Sequence, residues 1–221
     1  MSDTTREPLT LLFDLDGTLT DPSDGITRCI QYALERLGRS YPPKSELVQF
    51  IGPSLRWTFP RLLESNDENL IETAVRHYRE RFADVGLFEN DLYPGVPEML
   101  EQLRSEGRRL YVVTSKPKVY TDRIVRHFGF DRFFVDVFGP ELNGRFDDKQ
   151  ELLAFLLREL ALDPERAIMI GDRARDIESG KAHGTRTIGV TYGFGSEEEI
   201  TAARPDRICR SPSDIYPAVC T

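Results

Sequence analysis

Hydrophobic positions along this chain follow two rhythms. Leu9 to Phe13 is a short, mostly apolar run that stops abruptly at Asp14-Leu15-Asp16-Gly17-Thr18. Similar runs recur at Arg109 to Thr114, at Ala167 to Ile170 before Gly171-Asp172, and at Thr187 to Val190. Runs this short, bounded by polar residues and glycine, predict buried strands that deliver polar side chains to their carboxyl ends. Between them apolar residues recur at helical spacing. Met99, Leu100 and Leu103 share one face over 98–107, and further helices are predicted over 119–129, 150–160 and 176–184, three of the four closing on a glycine.

Strand and helix therefore alternate, which predicts an α/β fold with a Rossmann-like parallel sheet covered on both faces. Ligands of such sheets bind beyond the carboxyl ends of the strands. Residues 25–88 break the alternation. Ile26, Ile30, Ala33, Leu34 and Leu37 repeat at helical spacing, as do the apolar residues from Leu47 to Phe82, so this stretch predicts an inserted helical cap. The expected division is a core of 1–20 and 90–221 and a cap of 21–89. Asn143-Gly144 marks a turn.

With 221 residues, 39% hydrophobic and 30% charged, the chain has the composition of a folded globular protein. Its 29 Lys and Arg against 37 Asp and Glu give a net charge of -8, with no basic track, which argues against nucleic acid as a partner. Three cysteines without a Cys-x-x-Cys pair suggest neither a disulfide framework nor a zinc site. The segment Met1 to Pro8 lacks the apolar stretch of a signal peptide, and no run approaches the roughly 20 apolar residues needed to cross a bilayer. A cytoplasmic protein without a membrane partner is expected.

The strand ends collect a coherent set of groups: Asp14 with Asp16, Thr114 with Ser115, Lys149 ahead of a helix, and Asp172 with Asp176. Carboxylates from separate strands form a hard oxygen site suited to Mg²⁺, which takes one or two carboxylates together with water and substrate phosphate. Asp14 is then placed to be a nucleophile of the aspartyl-phosphate kind. Asp16 suits acid-base work, protonating a leaving alkoxide and then deprotonating water. Thr114 or Ser115 can donate to a phosphate oxygen, and Lys149 can neutralise it. The expected partner is a small phosphate ester.

Asp14-Leu-Asp16-Gly-Thr-Leu, Thr114 closing an apolar strand, Lys149, and Gly171-Asp172-Arg-Ala-Arg-Asp176 resemble the four ordered motifs of haloacid dehalogenase-like phosphatases, and the match spans nearly the whole chain. The resemblance implies Asp14 and Asp172 as side-chain ligands of Mg²⁺, Asp16 contributing its backbone carbonyl, and Asp176 supporting the metal from behind. It also implies that the helical insertion is the family's cap. Phe50-Ile-Gly-Pro-Ser-Leu55 resembles the cap loop of the phosphoglycolate-phosphatase branch, whereas Asp148-Lys149-Gln-Glu-Leu152 and Gly-Asp-Arg-x-x-Asp-Ile look like the branch similar to bacterial 5'-nucleotidases.

A magnesium-dependent phosphomonoesterase acting on nucleoside 5'-monophosphates is therefore expected. 2-Phosphoglycolate is the alternative substrate, and a phosphoacceptor signalling domain without turnover is the rival of another class. Other residues are given plainer roles: His77, His127 and His183 structural or solvent-facing, Arg173 and Arg175 surface or ion-pairing, and Trp57 and Phe59 core of the cap, with the lining of a pocket above a nucleobase as their alternative.

Overall fold

The computed structural model describes residues 9–220; the segment Met1 to Pro8 and Thr221 lie outside them. The chain begins with β1 (Thr10–Phe13) and β2 (Thr20–Asp21), then runs through α1 (Ser23–Arg36), α2 (Lys44–Leu47), α3 (Leu55–Leu63) and α4 (Glu68–Asp84) to β3 (Asp91–Leu92). From there it alternates: α5 (Val96–Ser105), β4 (Arg109–Val113), α6 (Lys118–His127), β5 (Asp136–Phe138), α7 (Lys149–Glu159), β6 (Ala167–Gly171), α8 (Ala174–Ala182) and β7 (Arg186–Val190). It closes with α9 (Glu197–Ala203), β8 (Arg207–Cys209) and α10 (Ile215–Cys220).

Six strands form one sheet in the order β5-β4-β1-β6-β7-β8, and every pairing in it is parallel. Strand β1 lies inside, with Phe13 level with Val112 of β4 on one side and Ile170 of β6 on the other. The chain order reverses about β1, and at such a switch point connections leave in opposite directions and open a crevice beyond the strand ends. Asp14 and Asp172 follow the two adjacent strands there.

Strand alternation splits β1 between two cores. Leu11 and Phe13 pack with residues of α5, α6 and the helical segment, whereas Leu12 faces Leu152, Leu153, Leu156 and Leu157 on the other side. Burial on both faces is why β1 reads as a run rather than an alternation.

In the helical segment, α4 packs against α1 and α3. Ile71, Ala74, Val75, Tyr78 and Phe82 form the buried stripe of α4, and Ile26, Cys29, Ile30, Ala33 and Leu34 that of α1. Asp67 caps α4 by accepting from the backbone N–H of Asn69 at 2.9 Å and of Leu70 at 3.4 Å. The chain enters and leaves this segment through β2 and β3, which pair antiparallel with Thr20 opposite Leu92. Among the described residues no helix is long and apolar enough to cross a membrane.

Candidate active site

The loop after β1 winds tightly around one acceptor. The Leu15 carbonyl takes the N–H groups of Thr18, Leu19 and Thr20 at 3.2, 2.9 and 3.1 Å, and Gly17 N–H donates to the Thr20 carbonyl at 2.8 Å. Gly17 sits at φ +84°, and a Cβ there would fall 2.1 Å from Asp172 Oδ2. Only glycine lets the first loop lie this close to the acid that follows β6. Gly171 serves the same purpose lower down, where a Cβ would meet the Asp176 carboxylate at 2.2 Å.

Asp148 caps α7, accepting from Gln150 N–H at 2.7 Å and Glu151 N–H at 3.3 Å, and so fixes Lys149 as the first helical residue. The Lys149 ammonium lies between two carboxylates, 2.8 Å from Asp14 Oδ1 and in direct contact with Asp176 Oδ1. All three side chains are buried. Burial disfavours the ammonium, but the Asp14 and Asp176 charges outweigh it and raise the Lys149 pKa. Asp176 is held in turn by the Arg173 N–H at 3.0 Å.

Asp14, Asp172 and Asp176 offer carboxylate oxygens within 4.8 Å of one another. Asp172 Oδ2 accepts from Phe194 N–H at 2.7 Å, but its Oδ1 is enclosed without a hydrogen-bond partner. Burial, followed by repulsion from Asp14 and Asp176, pushes the Asp172 pKa well above the usual carboxylate range. Crowded oxygens with one orphaned atom are the donor set a hard cation needs, so the residues fit a divalent metal.

Asp16 points elsewhere. Its two oxygens accept from the buried Lys116 ammonium at 2.8 and 2.6 Å, and burial raises its pKa against the opposing pull of Lys116. Thr114 Oγ1 accepts from Lys116 N–H at 3.2 Å, which leaves its own proton free to donate, and Ser115 Oγ is enclosed without a partner. The expected residues thus gather as two neighbouring charge clusters, one of Asp14, Lys149, Asp172 and Asp176 and one of Asp16 with Lys116, flanked by Thr114 and Ser115.

Lys116 has no place in the reading from sequence. A lysine after a Thr-Ser pair looks solvated, as most lysines are. Its one signal is its position, directly behind a strand end that carries the other polar groups. Trp57 is corrected as well: Phe59 is fully buried as expected, but Trp57 is 38% exposed. It lines a cavity of about 340 Å³ with Asp148, Lys149 and Arg175. The Arg61 guanidinium stacks on its ring at 3.5 Å, so a cation covers a face that core packing would otherwise take.

A second cavity lies between the helical segment and the sheet, beside Asp16. Phe50, Tyr78, Arg79 and Phe82 line it from the helical side, and Ser115, Lys116 and Tyr120 from the sheet side. Side-chain contacts tie the two sides together. Arg56 reaches Asp147 at 3.4 Å, Arg79 donates to the Leu142 carbonyl at 3.0 Å, and Arg173 donates to the Ile51 carbonyl at 3.2 Å while pairing with Glu199 at 3.0 Å.

Comparison with known proteins places this geometry. Residues 11–190 match the family model described as haloacid dehalogenase-like hydrolase. A 5'-nucleotidase of Pseudomonas aeruginosa is 48% identical over 199 residues, covering 90% of this chain and 90% of the relative. The tyrosine-protein kinase PtkA of Mycobacterium tuberculosis is 36% identical over 88% of this chain and 66% of its own length. Among solved structures, a predicted phosphatase from Clostridium acetobutylicum superposes with a TM-score of 0.92 at 35% identity, covering 96% of this chain and 98% of that one.

Proposed function

Because the chain belongs to the haloacid dehalogenase-like hydrolase family, among its phosphatases, we propose that it is a Mg²⁺-dependent 5'-nucleotidase working through an aspartyl phosphate on Asp14. The observation that carries the reading is the division of the two site aspartates. One lies in the cluster suited to a metal, against Lys149, and the other is set apart beside the cavity on Lys116. A nucleophile and an acid-base group need such different surroundings. The relative named 5'-nucleotidase at 48% identity supports the choice of substrate.

Asp14, Asp172 and the Asp16 backbone carbonyl would hold the cation, with Asp176 behind them. Bound there, Mg²⁺ supplies charge neutralisation for the phosphoryl oxygens. An Asp14 oxygen forms a bond to phosphorus as the bond to the leaving oxygen breaks, and Asp16 gives that oxygen its proton. Burial raises the proton affinity of Asp16, as an acid of this kind requires. Asp16 then takes a proton from the water that attacks the acyl phosphate, which frees Asp14 and releases phosphate. The Thr114 and Ser115 hydroxyls donate to the phosphoryl oxygens, and the Lys149 ammonium stays charged beside them. Residues 21–89 act as the cap that closes the cavity over Asp16, and residues 1–20 and 90–221 as the core.

The test is phosphate release from a panel of 5'-mononucleotides and 2-phosphoglycolate with Mg²⁺, and again after EDTA. Turnover of mononucleotides ahead of phosphoglycolate, silenced by EDTA and restored by Mg²⁺, is the expected result. Preference for phosphoglycolate over every nucleotide overturns the substrate assignment, and full activity in EDTA overturns the metal.

A further inference from the structure

The turn that carries Asp16 is held from two directions. From within, the N–H groups of Thr18, Leu19 and Thr20 converge on the Leu15 carbonyl. From outside, the Tyr192 hydroxyl donates to the Thr18 carbonyl at 2.8 Å. Tyr192 stands in the loop between β7 and α9, and the residues after it stay against the site. A Cβ on Gly193 would collide with the Gly17 carbonyl and with the Asp172 side chain. The Phe194 N–H donates to Asp172 Oδ2 at 2.7 Å. One short stretch of chain therefore rests on both the Asp16 turn and Asp172, and it reaches the turn through a phenol.

The ring and the hydroxyl of Tyr192 do different things. The ring stands edge-on to Tyr93, with centroids 5.1 Å apart and planes at 67°. Tyr93 follows β3, where the chain returns from the helical segment, and its N–H donates to the Leu19 carbonyl at 3.3 Å. A phenylalanine ring would pack there equally well. The hydroxyl adds a fixed point two residues beyond Asp16. Asp14 needs no such anchor, because its N–H donates to the Ile170 carbonyl of β6 at 2.8 Å and extends the sheet. Loosening the Thr18 peptide thus moves the Asp16 carboxyl and leaves Asp14 in place. An acid has to come within hydrogen-bond reach of the oxygen it protonates, and small misplacements are costly.

We propose that Tyr192 is a positioning residue for proton transfer, its hydroxyl holding the turn so that Asp16 meets the leaving oxygen. The proposal rests on the reading of Asp16 as the acid.

The experiment measures kcat/KM with Mg²⁺ for p-nitrophenyl phosphate and for an alkyl phosphate that the enzyme turns over, a 5'-mononucleotide or 2-phosphoglycolate, in the wild-type chain, Tyr192→Phe and Asp16→Ala. This constant reports the steps up to phosphoryl transfer, provided that transfer is irreversible. An alkoxide needs a proton to depart, whereas p-nitrophenolate is a weak base that leaves without one. Tyr192→Phe should lower kcat/KM about tenfold for the alkyl phosphate, part of the hundredfold or more that an acid contributes, and no more than about twofold for the aryl ester. Asp16→Ala should lower the alkyl-to-aryl ratio further. Each ratio comes from one preparation, so loss of folded protein cancels. A wild-type ratio in Tyr192→Phe beside a lowered one in Asp16→Ala overturns the role of Tyr192 and leaves the acid standing. A wild-type ratio in Asp16→Ala overturns the acid, and the proposal with it.

Discussion

The carboxylate cluster at the strand ends and the seam above it use the same kinds of charged side chain in opposite ways. In the cluster, Asp14, Asp176 and Lys149 are buried, mutually neutralising and fixed by backbone contacts. In the seam, Arg56, Arg79 and Arg173 are long side chains partly open to water, holding carbonyls and acids across a gap. Buried charges without room to move lose heavily when a partner is removed, whereas part-exposed pairs exchange with water at little cost. Chemistry that cannot tolerate misplacement belongs below, and recognition that has to open and close belongs above.

The sharpest way to break this contrast is Asp14→Asn. It should lose turnover altogether with a smaller loss of thermal stability than Lys149→Met, because Lys149 retains Asp176. Wild-type phosphate release by this variant would remove Asp14 from the nucleophile role. Next comes Lys149→Met, which strands two buried acids. Loss of activity with a destabilisation of about 3–5 kcal/mol is expected, measured by urea unfolding. Added Mg²⁺ should restore more stability to this variant than to the wild type, because the cation binds the folded acids that lost their ammonium. Asp16→Ala should slow phosphate release roughly a hundredfold. Arg56→Ala, in the seam, should cost no more than about 1 kcal/mol; a loss as large as that of Lys149→Met would abolish the distinction.

The smallest effect lies where the helical segment rejoins the sheet. Glu89 accepts from Arg81 at 2.7 and 3.0 Å and from Arg28 at 2.7 Å, and the Arg81 hydrogen bond leads in lowering its pKa below the ordinary 4.5. A depressed carboxyl contributes stability that is present above the ordinary value and lost as pH falls through the folded one. Glu89→Gln should therefore show a flatter loss of thermal stability than the wild type between about pH 6 and pH 3. Parallel curves would assign the acid sensitivity to other groups.

Much of this was legible from apolar rhythm because the sheet interior is buried on both faces. Strands β1, β4, β6 and β7 and helices α5 to α8 fall within about two residues of their expected bounds, a margin set by fraying at helix ends. Strands β5 and β8 were not expected. Both are three-residue edge strands, Asp136–Phe138 and Arg207–Cys209, too short to impose a pattern. At the site, the aspartates and Lys149 could be read because each follows a strand or opens a helix. Lys116 and Arg79 could not. The burial of a cation depends on what the rest of the chain folds around it, and Arg79 sits on a helix whose pattern makes its position look ordinary.

Strand β1 has a cost measured in time rather than free energy. Thr10 pairs with Arg109 and Ala167, so during synthesis this strand has no partner in the sheet until about a hundred residues have followed it, and no second one until about sixty more. Contacts so distant along the chain make for slow folding and leave an apolar strand exposed meanwhile. The phosphate chemistry waits longer still, because the N–H that steadies Asp172 belongs to Phe194. Lys149 can reach Asp14 earlier, but the acids around Asp14 are all in place only once the ribosome has passed Phe194.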